Sequence, residues 1–543
     1  MPTTGPGLQA FRFDDPCQER IHRRLQLIGP APAACYRDAC RLMAASPALE
    51  TQGHLVVHLL RTLERALHEA FEPMSEHRQR LMTPAESGER PRTDDILGIL
   101  HGLDIPVTAP VAQEWLRLAL AHPGPEDGAC HECWHQMQAI LDAILERFET
   151  RYADTLHLLD ELLAKASPSE DDAASLQEFV TDRCITHGYF FNRLVSPAWL
   201  VLLREKGFFA HPLGPELTYL ARMATSEAIS VRETVAEIIV QVAGTAPVGV
   251  VGTLADVALA LPPRMAARWV QQHIRWIEQQ QRLPHSLPAK LGNLITHLSR
   301  GGEADMALAL MQVLLALFPS SLTPVVADEQ PIYRAFPEPR ARFDLWSYAQ
   351  VLRDHVPDLV SVARADTLLL VCDLLQAAIR LSRPQEEPEG PEDHSYLWRP
   401  AVEEHPQNRR LGLRELLVSA VRDAAEHIAT GNPAHVPALV QQFESRSWRI
   451  FHRLSLHLLR RVPQEAMDLI AARLTDRTHF DLPDLRHEYA LLAGEHFPHL
   501  SPKEQATILD WIAAGPSCQA SAGASTPNAR EARLGKIWRL NRL

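Results

Sequence analysis

The sequence predicts an all-α fold, and three observations carry this prediction. Between residues 215 and 319, apolar side chains recur at steps of three and four, which is the spacing of one buried helix face. The first of these stripes contains Val231, Val235, Ile238, Ile239 and Val242. Breaks such as Pro262-Pro263 and Gly301-Gly302 separate the stripes, because proline and glycine both disfavour a continuing helix. Almost no segment alternates apolar and polar residues, so strands are not expected.

Composition and charge restrict the class of protein. The chain has 543 residues, of which 46% are hydrophobic, so it can bury one large core or several. Its formal net charge of -13 argues against nucleic acid as the main partner, because a phosphate backbone requires clustered lysine and arginine. No run approaches the roughly 18 apolar residues of a membrane span, and residues 1–15 contain no apolar h-region of the kind found in a signal peptide. Because the eight cysteines are too sparse for a disulfide framework, we expect a cytoplasmic protein without a membrane partner.

The N-terminal part of the chain is expected to contain two regions. Residues 1–30 are predicted to form an irregular arm, because prolines and glycines are frequent there, with one short helix near 18–27. Residues 31–170 are predicted to form an N-terminal helical block, whose last two helices lie at 133–148 and 152–166.

Three further regions are expected to follow. A central solenoid of helical repeats is predicted for 171–342, and an aromatic cluster between 189 and 209 is expected to form the core onto which it packs. Residues 343–514 are predicted to form a C-terminal helical block, which is interrupted at 383–393 by an acidic, proline-rich linker. The tail 515–543 is expected to be flexible, with a short basic helix at its end.

The spacing of the helices is similar to that of a known class of repeat proteins. Helix pairs joined by short breaks recur at roughly 40 residues between 217 and 318, and this pattern resembles HEAT and armadillo-type solenoids. The resemblance implies a HEAT-like helical-repeat solenoid flanked by irregular helical blocks. Proteins of this kind generally act as scaffolds or recognition surfaces.

A wider pattern looks like that of a group of large bacterial helical proteins. It consists of Phe190-Phe191, Trp199-Leu200, Gly207-Phe208-Phe209, Trp398-Arg399-Pro400 and Arg422-Asp423. This likeness covers most of the chain but implies no activity. The two resemblances predict a non-enzymatic helical scaffold or recognition protein that binds a protein partner and needs no cofactor. They suggest a component of a bacterial multi-protein system such as phage defence, and they leave the oligomeric state open.

One alternative is a zinc-dependent hydrolase. His131-Glu132-Cys133-Trp134-His135 matches the His-Glu-x-x-His pattern of zinc metalloproteases. On a helix, the imidazoles of His131 and His135 lie on the same face and can share a zinc ion, while Glu132 activates a bound water. A third ligand would come from the next predicted helix, where the candidates are Asp154, His157, Asp160 and Glu161. The competing interpretation is a helix start with surface histidines, since the pattern is short and the chain has 26 histidines.

A second alternative is a ribonuclease of the HEPN type. Arg422-Asp423-Ala424-Ala425-Glu426-His427 resembles the Arg-x4-6-His motif of those helical proteins. The resemblance implies that Arg422 stabilises phosphate charge and that His427 acts as acid or base, in a dimer that brings two such pairs to an RNA backbone. Residues 61–68 fit the same loose pattern, so an ordinary polar helix face is the competing interpretation.

The third candidate region is a partner-binding edge formed by Tyr396, Trp398 and Arg399. These residues follow the acidic linker, and tyrosine, tryptophan and arginine are the usual anchors of protein interfaces. The competing interpretation is a loop that re-enters the helical core, with Trp398 buried and Arg399 paired to Glu403 or Glu404.

Overall fold

The computed structural model describes residues 11–13, 15–44, 51–76, 79, 91–120, 127–181, 184–242, 248–320, 337–383, 392–406, 408 and 412–514, without the side chains of 127–131 and 248. Nearly all of the regular secondary structure in these residues is helical, which confirms the predicted all-α fold. None of the described helices is both long enough and apolar enough to cross a membrane. Most of the predicted linker, the whole tail 515–543 and the first ten residues of the predicted arm lie outside the described residues.

The chain forms two compact units, Met1–Leu261 and Pro262–Leu543. Their boundary falls within the region 171–342 that was predicted as one central solenoid, so that region contributes helices to both units. The described helices of unit 1 are α1 (Pro16–Ile28), α2 (Pro30–Met43), α3 (Gln52–Phe71), α4 (Arg92–Gly102), α5 (Pro110–Leu120), α6 (Asp127–Leu163), α7 (Glu170–Val180), α8 (Cys184–Arg193), α9 (Trp199–Glu205), α10 (Gly214–Ala224), α11 (Ile229–Val242) and α12 (Val248–Ala260).

Unit 2 contains the remaining helices and a two-stranded antiparallel sheet. The helices are α13 (Pro263–Gln279), α14 (Leu287–Arg300), α15 (Ala304–Leu314), α16 (Leu345–Val362), α17 (Arg364–Leu381), α18 (Ser395–Trp398), α19 (Leu413–Gly431), α20 (Val436–Glu444), α21 (Arg449–Arg461), α22 (Met467–Leu474), α23 (Arg477–Asp481), α24 (Arg486–His496) and α25 (Pro502–Ala514). Short 3-10 turns span Pro433–His435, Pro483–Leu485 and Phe497–His499. In the sheet, β1 (Leu317–Phe318) pairs with β2 (Arg340–Ala341), with Leu317 opposite Ala341.

The helix expected near 18–27 is present as α1, and it belongs to the core of unit 1. Its apolar residues Ile21, Leu25 and Ile28 follow the three- and four-residue spacing of a buried face, and all three are buried. The carboxylate of Asp15 caps the helix by accepting from the amide of Cys17. Arg24 ties α1 to α6 through a hydrogen bond to Asp142.

The two helices predicted at 133–148 and 152–166 are one continuous helix, α6, so the predicted break was wrong. Neither glycine nor proline occurs between Phe148 and Tyr152, and nothing therefore interrupts the hydrogen-bond ladder. The buried stripe runs through this point without a gap, and it contains Leu141, Leu145, Phe148, Tyr152, Leu156 and Leu159.

The predicted aromatic cluster lies in the interior of unit 1. The ring of Phe190 packs edge-on against Phe191 and Trp199, with centroid separations of 5.5 and 5.3 Å. Phe191 also lies 5.7 Å from the ring of Phe208. Aromatic pairs in these arrangements contribute roughly 0.5–1.5 kcal/mol beyond their burial, so the cluster stabilises the packing of α8 and α9.

One glycine of unit 1 is required by a close approach between two helices. Gly102 ends α4, and a Cβ atom there would lie 2.6 Å from Cβ of Phe71 and 3.0 Å from its backbone oxygen. Because these atoms belong to the end of α3 and have little freedom to move, we expect Gly102→Ala to destabilise the chain by about 1–3 kcal/mol. Urea unfolding at pH 7 measures the loss. Gly214→Ala is the control because a Cβ atom there meets nothing within 4 Å, and equal midpoints for the two variants would contradict the packing argument.

Candidate functional sites

A non-helical segment, residues 399–403, is buried inside unit 2 and follows directly on α18. We call it the buried strap. Ala401 and Val402 in its middle are almost completely enclosed. A buried peptide group outside a helix needs another hydrogen-bond partner, because burying it without one costs on the order of 1–3 kcal/mol. Charged side chains around the strap supply these partners.

Two arginines donate hydrogen bonds to the carbonyl groups in the middle of the strap. Arg399 donates from Nε to the carbonyl oxygen of Ala401 at 2.8 Å, and from Nη2 to that of Val402 at 3.0 Å. Arg422 of α19 donates to the same Val402 oxygen at 3.1 Å. Both guanidinium groups are therefore used to satisfy the backbone of the strap.

A buried ion pair between α21 and α24 holds the strap from its other side. Arg453 donates two hydrogen bonds of 2.8 Å to Glu488, and each side chain is only 1% exposed. Arg453 also donates to the carbonyl oxygen of Pro400 at 3.1 Å, and Glu488 accepts from the amide of Val402 at 3.0 Å. The pair therefore joins two helices and fixes the strap between them.

Glu403, at the end of the strap, lies among basic side chains. Nε2 of His487 is 2.9 Å from Oε1 of Glu403, and Nη2 of Arg460 is 3.8 Å from Oε2. Burial alone would raise the pKa of Glu403, but the hydrogen bond with His487, a backbone hydrogen bond, and the charges of His487 and Arg460 together outweigh it and lower the pKa to about 2. The same hydrogen bond raises the pKa of His487. Glu403 is therefore ionised at neutral pH.

One group among the described residues can offer three ligand atoms to a metal ion. Glu403, His487 and Glu488 each place one such atom within 4.8 Å of the other two. Both oxygens of Glu488 already accept hydrogen bonds from Arg453. Glu403 and His487 are therefore the members of this group whose ligand atoms are available to coordinate an ion.

The structure does not bring Arg422 and His427 together. Arg422 is buried in contacts with the strap and with Glu404, whereas His427 is exposed. Residues five apart on an α-helix lie about 140° apart around its axis, so the two side chains point in different directions. His427 lines an open depression of about 520 Å³ together with Asp423, Glu426, Thr430 and Gly431. The carboxylates of Asp423 and Glu426 in this depression disfavour the binding of a phosphate backbone.

The His-Glu-x-x-His pattern lies near the beginning of α6. Glu132 and His135 are exposed, and Trp134 between them is buried against Tyr36 at a ring separation of 5.8 Å. The side chain of His131 lies outside the described residues. The proposed third ligands belong to the same helix, and the nearest of them, Asp154, is 19 residues beyond His135, which is about 28 Å along the axis. These residues cannot complete a zinc site with His135 on the same chain.

The predicted partner-binding edge divides into one exposed and two buried residues. Tyr396 is exposed on α18. Trp398 is buried, donates from its indole nitrogen to the carbonyl oxygen of Asp393 at 2.8 Å, and packs against the guanidinium of Arg414. Arg399 is buried and donates to the backbone carbonyls of Ala401, Val402 and Glu415, whereas the competing interpretation paired it with Glu403 or Glu404. These two residues therefore hold unit 2 together.

A cleft of about 220 Å³ lies at the first turns of α16 and α19. Apolar residues form much of its lining, and they are Pro339, Ala341, Phe343, Leu345 and Leu413. Charged residues complete it, and they are Glu338, Arg340, Arg414 and Glu415. Burial raises the pKa of Glu415. Trp346 directly follows Leu345 in the chain, and it is 73% exposed.

Sequence reasoning missed both the cleft and the charged groups around the strap. Trp346 had a local signal, because it falls off the stripe of α16 that contains Tyr348, Val351, Leu352 and Leu359. The charged groups around the strap had no local signal in the sequence, because partners such as Val402 and Glu488 are 86 positions apart. Comparisons with protein-family models, with curated proteins and with solved structures gave no match. The geometry of the described residues therefore carries the functional argument.

Proposed function

We propose that this chain is a non-enzymatic helical recognition protein that binds a protein partner at the first turn of α16, with Trp346 as the main anchor. The exposure of this tryptophan is the observation that carries the proposal. Tryptophan is among the residues that contribute most to protein interfaces, and its exposed indole ring offers a large apolar contact area.

The cleft next to Leu345 suggests the chemistry of the partner. Its apolar lining fits one aliphatic or aromatic side chain. Two arginines and two glutamates complete the lining, so their charges balance, and Asp344 caps the N-terminus of α16. We infer that the partner offers a segment with one apolar side chain for this cleft.

The packing of the helices in unit 2 supports a scaffold role. In the first part of the unit, α14 packs against α15 and α16, and α16 packs against α17 and α19. Contacts between near neighbours in the chain are typical of helical-repeat scaffolds such as HEAT-like solenoids. We therefore retain the proposal of a HEAT-like scaffold that acts within a bacterial multi-protein system.

The test compares two exposed apolar residues in the full-length chain. Tagged wild type, Trp346→Ala and Val195→Ala are purified from the source cells, and co-purifying proteins are quantified by mass spectrometry. Val195 lies in unit 1 and is 71% exposed, so its variant controls for non-specific apolar capture. We expect one protein that is retained by wild type and Val195→Ala, and whose measured affinity falls roughly 30-fold with Trp346→Ala. Equal recovery with Trp346→Ala, or no reproducible partner, would refute the proposal.

A further inference from the structure

The cleft at the first turns of α16 and α19 holds a buried carboxyl group without a matching donor. Glu415 lines this cleft and is only 5% exposed. Within the described part of the chain, its carboxyl oxygens have no ion-pair partner and accept no hydrogen bond from another residue. Burial raises the pKa of this group more than its own amide and the charge of Arg414 lower it. A ligand that brings a positively charged donor to this carboxyl group would therefore be stabilised there.

The carboxyl group of Glu415 lies at the wall of the cleft. A Cβ atom at Gly412 would lie 2.4 Å from Oε2 of Glu415, and Gly412 belongs to the same lining. Because glycine has no side chain, the carboxyl group can lie directly against the backbone there. Glu338 of the lining adds a second negative charge, and this charge also raises the pKa of Glu415. Two carboxylates that act on each other in one cleft favour a cation between them.

The two arginines of the lining do not neutralise Glu415 by direct contact. The guanidinium of Arg340 lies over the ring of Phe318, 5.7 Å from its centroid. That of Arg414 lies over the ring of Trp398, 4.7 Å from its centroid. The formal charges of the lining balance, but both guanidinium groups pack on aromatic rings, and neither forms an ion pair with Glu415 among the described contacts.

The cleft also contains an unpaired donor. Nε of Arg340 is buried and has no acceptor among the residues that the structure describes. Nη2 of the same side chain donates to Gln281 at 3.4 Å. A ligand that satisfies this cleft therefore has a cationic donor for Glu415, an apolar section for the lining and an acceptor for Arg340.

We propose that the partner residue that enters this cleft is a lysine or arginine, whose cationic group pairs with Glu415. This inference rests on the proposed function and names the side chain that the cleft receives. The aliphatic stem of such a residue is its apolar part, and it would contact Leu345 and Leu413 of the lining. A backbone carbonyl group of the same segment can accept from Nε of Arg340.

The first experiment uses two small cations as probes for the full-length chain at pH 7. The n-butylammonium ion has the form of a lysine side chain, and the n-propylguanidinium ion has that of an arginine side chain. Saturation-transfer NMR measures their affinities beside those of 1-butanol and butanoate, which carry no positive charge. We expect at least one cation to bind roughly tenfold more tightly than 1-butanol or butanoate. The cation that binds more tightly identifies the residue type.

Glu415→Gln tests the carboxyl group, because glutamine keeps its shape and removes its charge. This variant should bind both cations no more tightly than 1-butanol. Glu233→Gln changes an exposed glutamate of α11 and should bind them like wild type. Equal cation affinity in wild type and Glu415→Gln would overturn the inference. So would a wild type that does not prefer a cation over 1-butanol, and this comparison does not depend on the folding of any variant.

The partner recovered by co-purification provides the second experiment. Glu415→Gln should weaken its binding roughly tenfold, whereas Glu233→Gln should leave it unchanged. A partner that is lost with Trp346→Ala but bound by Glu415→Gln at wild-type affinity would overturn this inference and leave the proposed function intact. Cation binding that depends on Glu415, without any recovered partner, would support a basic ligand for the cleft and refute only the proposed function.

Discussion

Arg453→Met is expected to destabilise the chain by about 3–5 kcal/mol, the usual cost of removing one member of a buried ion pair. Glu488 would lose its arginine partner in an environment where it is 1% exposed, and the carbonyl group of Pro400 would lose its donor. Urea unfolding at pH 7 measures the change. Hydrogen exchange of peptides that cover the strap locates it, because we expect protection there to be lost first.

An exposed ion pair in the same unit provides the matched control. Arg300 pairs with Asp358, but its side chain is 71% exposed. Solvent and salt screen such pairs, so Arg300→Met should cost at most about 1 kcal/mol. If the two methionine variants lost the same stability, the buried pair would not be what holds the strap.

Removing both members of the buried pair should not restore full stability. In the double variant Arg453→Met/Glu488→Leu no charge is left unpaired, which removes the largest penalty. The amide of Val402 and the carbonyl of Pro400 would still lack their partners. A double-mutant cycle on the unfolding free energy separates these two contributions.

His273→Phe is expected to reduce the loss of stability that acid causes. His273 of α13 is fully buried and stacks on Trp269 at 3.9 Å. Burial lowers its pKa from 6.5 to about 4, against a small opposing effect of the Trp269 carbonyl. The unfolded chain therefore binds a proton below pH 6.5 that the folded chain accepts only near pH 4. This residue's contribution to stability is complete above pH 6.5, and about 3 kcal/mol of it is lost as the pH falls to 4.

The measurement compares the change in unfolding free energy between two pH values in wild type and in the His273→Phe variant. Urea unfolding at pH 7 and pH 5 should show that wild type loses about 2 kcal/mol more than His273→Phe over this interval. The carboxylates titrate in both proteins and cancel in the comparison. His273→Leu repeats the test with a smaller ring-free side chain, and the exposed His427→Ala should behave like wild type. An equal loss in wild type and both His273 variants would contradict the assignment.

Local periodicity accounts for much of the fold that could be predicted. In α11 the predicted stripe includes Val235, Ile239 and Val242, and all three are buried. Such stripes require only the geometry of one helix, which neighbouring residues determine. The break predicted between 148 and 152 was wrong for a local reason as well, because Glu149, Thr150 and Arg151 do not stop a helix.

The candidate sites depended on contacts that no local pattern contains. Trp398 and Arg399 have the residue types of an interface, but both of them are buried. Trp346 lies outside the stripe of its helix and is exposed. Whether an arginine or tryptophan is buried in the core or exposed to a partner depends on which residues pack against it. Those residues lie far away in the sequence.

The sequence by itself determined that this protein is built from helices and which face of many of them is buried, because side chains three and four residues apart share one side of a helix. Only the tertiary structure decided how the chain divides into two units and which charged groups meet at the strap. It brought Glu403 to His457 and His487 from positions up to 84 residues apart. Such pairings depend on how whole helices pack, and helix packing is a property of the assembled core rather than of any one segment.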